Sequence, residues 1–459
     1  MPCRSSPTKS CARPIRAASA SVARAGSTSP WRWSALSPFP GWDACSAWPS
    51  DSDVRTLPWP LADDEISAVH RRLRRDYCKW DIYHRGQSNL LPDVIVLSEQ
   101  EHELLARTAR EVWLALRELE TQVVGAPEVL EAMGVPKALV PLLATEGPES
   151  PRISRCDFHL AAGGQWLISE FNEDGPGGYA EAHGLGEVLT NDWGERFPGL
   201  AAAGDLRQAL VDTLKPYGRI GLVYPTAYTE DLQQIALIAD WLRAASLDAV
   251  TGSPANLVFR DKQAFVFDQA IDALFRYYPG DWIAELPNLD TWAQAARSLP
   301  MINNLAALAA QSKRFYAAAD HHGLSLSESS RATLARWLPA SHYLEPELKE
   351  SIVAGRTQWV IKSAFGRMGD TVRLGIAHSP QAWEEAIDRA LADAEPHAVQ
   401  ARFDAAPMWF SSGLGYATIG LFLVDGHFAG YYSRVSPYPL INYDACHVAT
   451  LVETAGTTG

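Results

Sequence analysis

Two apolar strand patterns, "ISRCDFHLA" and "QWLISEFN", flank the short turn "AAGG" at residues 161–164. Side chains two apart on a strand face the same way, so Arg155 and Asp157 share one side of the first, and Glu170 and Asn172 share one side of the second. If the segments pair through the turn, an arginine, two carboxylates and an amide converge at one end of a sheet. The second run then breaks at "EDGPGG", where glycine and proline end a strand. Carboxylate and amide oxygens suit a hard cation such as magnesium, which keeps its other positions for water and phosphate oxygens. A solvated hairpin carrying an arginine–carboxylate pair is the alternative reading of the same residues.

A second constellation is "IKSAFGRMGD". Lys362 ends an apolar strand pattern, and Gly366 and Gly369 bracket Arg367. Such a turn lets backbone N–H groups approach phosphate oxygens while the cations supply charge. The G-x-x-x-x-G-K-[ST] order of a P-loop is absent, and a hairpin loop with surface cations is the alternative. Lys313 and Arg434 read by themselves as surface cations, and Gln400 as a buried amide. His159, His183 and His447 have no metal-ligand spacing and are read as structural.

The rest of the chain supplies the frame. "SEQEHELLARTAREVWLALRELETQVV" is a helix, with Ser98 and Glu101 as a capping box and Leu104, Leu105, Ala109, Val112, Leu116, Leu119 and Val123 on one face. From Arg219 the pattern alternates strand and helix with a hairpin at Asp261–Lys262, which predicts a small unit with a parallel sheet over 216–300. Later strands include "AVQARF" and a hairpin turning at Asp425–Gly426. Met1 to Gly41 holds six basic residues and no acidic one among Ser, Ala and Pro. Residues 1–60 are therefore expected to be a disordered tail, with a transit peptide or an over-extended gene start also open.

Net charge of −14 argues against general nucleic-acid binding, which needs clustered Lys and Arg. No run approaches the roughly 20 apolar residues of a membrane span. The six cysteines form no C-x-x-C pair and are expected to be reduced thiols in a cytoplasmic protein.

The chain resembles the glutathionylspermidine synthase family, the circularly permuted branch of the ATP-grasp ligases. "CKWDIY", "RCDFHL", "LISEFNEDGPGG", "IDALFRYYPGDW", "SKRFYAA", "WVIKSAFGRMGD", "AVQARF" and "AGYYSRVSP" carry the resemblance, in order, from about Tyr77 to Leu440. The carboxylates at 157–172 precede the lysines at 313 and 362, the reverse of unpermuted ATP-grasp chains. The resemblance implies an α+β fold, a circularly permuted ATP-grasp with an inserted small α/β domain. Metal-binding strands would lie in 61–215, the insert in 216–300 and the nucleotide part in 301–459.

It also implies roles. Asp157, Glu170 and Asn172 match magnesium ligands. Arg155, Arg367 and Arg434 match active-site arginines. Lys313, Lys362, Gly366, Gly369, Gln400, Ala401 and Leu440 match ATP-contacting positions. Glu230 and Asp231 fall where the family places carboxylates that receive a polyamine. At Gly175 and Gly177 the family often carries small hydroxyl residues that hold the acyl substrate, and these glycines donate no such bond. The implied activity is an ATP-dependent carboxylate–amine ligase working through an acyl phosphate, with glutathione not assumed. A non-catalytic nucleotide- or peptide-binding relative and an ATP-dependent phosphotransferase are the alternatives.

Overall fold

The computed structural model describes residues 54–454 apart from 85, 146, 368 and 370. The chain opens with β1 (Val54–Pro58), β2 (Leu90–Leu97) and helix α1 (Glu99–Val124), followed by β3 (Ile153–Leu160) and β4 (Trp166–Asn172). Next come β5 (Arg219–Val223), α2 (Thr229–Ala244), β6 (Asp248–Gly252), β7 (Ala273–Arg276) and β8 (Met301–Ile302). The last part holds β9 (Ser341–Tyr343), β10 (Trp359–Ser363), β11 (Arg373–Leu374) and β12 (His397–Ala401). It ends in β13 (Gly413–Val424), β14 (His427–Ser436) and β15 (Cys446–Glu453). Shorter helices and strands lie between.

The largest sheet runs β1-β2-β15-β14-β13-β3-β4, with two further short strands off this path. Only β15 and β2 pair in parallel along that path. Helix α1 covers it. Leu105, Ala109, Val112, Leu116, Leu119 and Val123 are buried in one core with Ile95, Phe158, Ile168 and Leu421 from the sheet, while Leu104 packs at its margin. Ser98 caps the helix by accepting from the Glu101 N–H at 3.1 Å. The expected capping box is only half formed, because the Glu101 carboxylate accepts from the Trp166 indole at 2.7 Å instead. A buried indole N–H needs a partner, and that need wins.

A parallel sheet, β8-β7-β5-β6, forms over residues 219–302 as its alternating pattern predicts. The hairpin at Asp261–Lys262 belongs to a separate antiparallel sheet, and both turn residues have positive φ (+51° and +68°), as a tight hairpin requires. The third large sheet, β9-β12-β10-β11, carries Lys362 and Gln400.

One expectation needs correcting. Residues 54–60 were assigned to the tail, yet Val54–Pro58 form β1, paired throughout with β2, and Trp59 is buried with its indole donating to the Asp93 carbonyl at 2.9 Å. The Pro- and Ser-rich composition upstream hides a short strand whose partner, fully buried β2, supplies the apolar surface. Residues 1–53 lie outside the described residues.

Candidate active site

The hairpin read from the sequence forms. Gly164 N–H closes the turn on Ala161, and β3 and β4 pair with Arg155 opposite Asn172 and Asp157 opposite Glu170. A bulge follows Asp157, and bulges re-aim side chains beside functional sites. Arg155 clasps Asp157 with two bonds, Nε to Oδ1 at 2.7 Å and Nη2 to Oδ2 at 2.9 Å, and Asn172 Nδ2 reaches the same carboxylate at 3.3 Å. The third Arg155 bond, from Nη1, goes to the Gly177 carbonyl at 2.8 Å.

Glu170 links this hairpin to the Lys313 and Lys362 cations. Its Oε1 accepts from Lys313 Nζ at 2.6 Å. Burial works to raise the carboxyl, but the Lys313 ammonium and its hydrogen bond, helped by Lys362 and Arg155, outweigh it and hold the group at about 2. Lys362 donates to Gln400 Oε1 at 2.7 Å and to the Ser169 carbonyl at 3.4 Å. Burial lowers the Lys362 ammonium to about 8, Glu170 resisting and Lys313 adding to the fall. The Lys313 backbone N–H binds the Ala364 carbonyl at 2.8 Å, which fixes its segment to the end of β10. Thus three hydrogen-bonded sets, Arg155 with Asp157 and Asn172, Glu170 with Lys313, and Lys362 with Gln400, lie together where two sheets meet, with the Glu170 charge acting on both Lys362 and Arg155. Ala401 ends β12 beside Gln400.

The remaining expected residues surround it. Arg434 on β14 lies over the Tyr432 ring at 5.5 Å, with Arg155 on the same ring at 4.8 Å. Gly366 has no room for a side chain, because a Cβ there would meet the Thr371 hydroxyl at 1.9 Å. A Cβ built on Gly369, at φ +73°, would lie 2.5 Å from the Ile441 carbonyl oxygen, so the glycine loop runs beside Leu440. Met368 and Asp370 of that loop lie outside the described residues. Arg367 is not joined to the lysine cluster: it pairs with both oxygens of Asp281, sits over the Trp282 ring at 5.4 Å, and reaches within 3.9 Å of Asp174.

Glu230 and Asp231 lie in the first turn of α2, after the carboxyl end of β5. Burial, then the neighbouring Glu230 charge, pushes the Asp231 carboxyl up to about 7. Of the acidic run after β4, Glu173 and Asp174 turn inward. Glu173 meets Arg152 at 2.8 Å and Ser154 at 2.6 Å. Asp174 pairs with Arg276 at 2.6 Å, both side chains fully buried, and accepts from the Gly280 N–H at 2.7 Å. Arg152, Arg276 and Asp281 could not be singled out as site residues from the sequence, since their partners lie far away in the chain.

The histidines read as structural are engaged with protein groups. His159 binds Ser169 at 2.8 Å and is lowered by burial to about 4, and His183 lies 3.0 Å from Glu187. His447 lies 3.5 Å from Glu181, whose carboxylate also meets Lys79 at 2.5 Å, and Lys79 meets Asp81 at 2.6 Å. Asp81, Glu181 and His447 could together hold a metal ion by proximity. Lys79 already supplies the positive charge among these acids, so a buried ion-pair cluster accounts for them. The signal was present in "CKWDIY", where two charges interrupt an aromatic run.

The family described as glutathionylspermidine synthase preATP-grasp matches residues 70–453. The chain belongs to that family. A glutathione synthetase-like effector from Globodera pallida, solved in its apo form, has the same general fold: TM-score 0.58 at 11% identity, covering 86% of this chain and 99% of its own. A putative gamma-glutamylcysteine synthetase from Methylobacillus flagellatus KT is a more distant likeness, with TM-score 0.42 and 12% identity over 71% of this chain and 86% of its own. Comparison with curated proteins found no match. Membership of the glutathionylspermidine synthase family makes the α+β architecture that of an ATP-grasp-like ligase. Among the described residues no helix is long and apolar enough to cross a membrane.

Proposed function

We propose that this chain is an ATP-dependent ligase that joins a carboxylate to an amine. The observation that carries the reading is the cluster of Asp157, Glu170 and Asn172 with three cations, Arg155, Lys313 and Lys362, where β3 and β4 meet β10 and β12. The residues suit magnesium by donor chemistry. Asp157, Glu170 and Asn172 are hard oxygen donors, Glu170 is held ionised, and its Oε2 is free of the Lys313 bond. Bound there, the ion would neutralise charge on the transferring phosphoryl group. Lys313 and Lys362 would hold phosphate oxygens, and Gln400, Ala401 and Leu440 the nucleoside. Gly366 and Gly369 would let the loop backbone approach the phosphates. Arg155, Arg367 and Arg434 would offset negative charge at the reacting groups.

The chemistry balances in two displacements. A substrate carboxylate oxygen attacks the γ-phosphorus and ADP leaves. An amine nitrogen then attacks the acyl carbon, inorganic phosphate leaves, and the nitrogen loses a proton. Gly175 and Gly177 would border the acyl group, and Glu230 and Asp231 would receive the amine, with a polyamine as one candidate. We assign the metal-binding strands to 61–215, the inserted unit to 216–300 and the nucleotide part to 301–459. We place the reaction in the cytoplasm, with neither nucleic acid nor membrane as a partner.

Incubation with ATP, magnesium and pooled acids and amines tests this by mass spectrometry. The expected product weighs one water less than the acid and amine together, with one ADP and one phosphate formed per amide. A phosphorylated product without amide would make the protein a phosphotransferase, and binding of ATP without any turnover would favour the non-catalytic alternative.

Asp231 gives the site a pH signature. A carboxyl titrating at about 7 is neutral below that pH and anionic above it, so it attracts an ammonium only on the alkaline side. The amine kcat/KM should rise as pH increases through about 7, and Asp231→Asn should flatten that rise. An unchanged profile in the variant would remove Asp231 from amine binding.

A further inference from the structure

The turn after β4 lacks side chains at 175 and 177, but the space beside it is filled. A Cβ built on Gly177 would come 2.8 Å from the Tyr277 hydroxyl, closer than real Cβ contacts allow. The nearest atoms to a Cβ on Gly175 would also belong to Tyr277, at 3.9 Å. Tyr277 follows β7 directly, and its N–H binds the Val223 carbonyl at 2.8 Å at the carboxyl end of β5. Carboxyl ends of parallel strands are where open α/β sheets receive ligands. The residue is 8% exposed, and its hydroxyl, with no hydrogen-bond partner among the described residues, is not itself sealed from solvent. Tyrosine placed in this way buries its ring and keeps its polar tip available. Burial, with Asp231 nearby, pushes its ionisation well above the usual range, so the group is a neutral O–H. From the other side, Arg155 binds the Gly177 carbonyl at 2.8 Å.

We propose that the Tyr277 hydroxyl hydrogen-bonds the acyl substrate at this turn, delivered from the parallel sheet into the space left by Gly177. Residues 177 and 277 are then a coupled pair that sets which carboxylate is accepted. The inference rests on the ligase reading above. Its substrate class is an acid that also presents a hydrogen-bond acceptor, such as a peptide carbonyl or a second carboxylate.

The test compares the full chain with Tyr277→Phe, Gly177→Ser and the double variant. ADP release is measured against a panel of free amino acids, dipeptides and glutathione, with ATP, magnesium and spermidine present. Losing one hydrogen bond should raise the KM for the acid that wild type prefers by about tenfold, with the Kd for ATP and magnesium unchanged by calorimetry. Gly177→Ser should lose activity and melt lower, because its side chain meets the phenol. The double variant should recover both, since it moves the hydroxyl from residue 277 to residue 177. An unchanged acid KM in Tyr277→Phe, or a double variant no better than Gly177→Ser, would overturn the proposal. If wild type binds ATP but releases no ADP with any acid, the ligase reading fails instead. The pair is then judged by melting alone: rescue of Gly177→Ser by Tyr277→Phe supports the coupling, and no rescue overturns it.

Discussion

Glu170→Gln should lower ADP formation by about a thousandfold or more, while the melting temperature shifts by only a few degrees. The substitution keeps shape and removes the charge that Lys313 and Lys362 surround. It also weakens the oxygen set with Asp157 and Asn172. Loss of several kcal/mol of charge stabilisation at a transferring phosphoryl group corresponds to about this rate loss. The fold should survive because β4 keeps its pairing with β3, and the Glu170 side chain is 28% exposed. Asn172→Ala should act in the same direction with a smaller effect, and in both variants the magnesium concentration for half-maximal rate should rise. Near-normal turnover of Glu170→Gln in a magnesium titration would refute the metal assignment.

The second large effect concerns stability. Arg152 is buried and binds Glu120 at 3.0 and 3.2 Å, Glu173 at 2.8 Å and Asn304 at 3.0 Å. Arg152→Met leaves the buried Glu173 without its cation, while Glu120 keeps Arg117, and should cost about 3–5 kcal/mol, the range for breaking a buried ion pair from one side. The sign with pH is definite. Burial already raises the Glu173 carboxyl against the pull of Arg152, and without the guanidinium it rises further, so the folded state binds more protons there and regains stability as pH falls. Urea denaturation should show the deficit fully at pH 7.5 and reduced at pH 5. Adding Glu120→Gln and Glu173→Gln to Arg152→Met should restore part of the loss at pH 7.5. A constant deficit across that range would show that Arg152 matters for packing and not for charge.

The two halves of the site differed in how readable they were. A period of two fixes which side chains share a strand face, so the facing of Arg155 and Asp157 and of Glu170 and Asn172 could be read locally. The turn at 161–164 then dictated their pairing. Helix α1 was readable for the same reason, its periodicity being strong over 26 residues. What stayed hidden depends on partners brought close only by the tertiary fold. Nothing in "EFNEDGP" distinguishes Glu170, which faces the lysines, from Glu173, which the bulged strand and turn carry inward to Arg152. Tyr277 and Asp281 stand in a quoted segment, "RYYPGDW", but their roles depend on Gly177 and Arg367, which arrive from other elements. The nucleoside-contacting roles proposed for Gln400, Ala401 and Leu440 come from the family resemblance alone, since no local pattern carries them.

The placement of β15 has a consequence for how the molecule is assembled. This strand, residues 446–453, lies inside the largest sheet, between β2 and β14, and not at its rim. Residues 90–97 therefore wait for a partner from the far end of the described sequence, and such long-range pairing slows folding because loop closure precedes any gain. On a ribosome, β2 would emerge with its inner edge open long before β15 exists. That edge is apolar and fully buried in the finished protein, so it is a natural place for a chaperone or an aggregation contact to act first. Arg434 pairs across from His447 on the same late strand, which ties completion of the arginine side of the site to the last step of sheet closure.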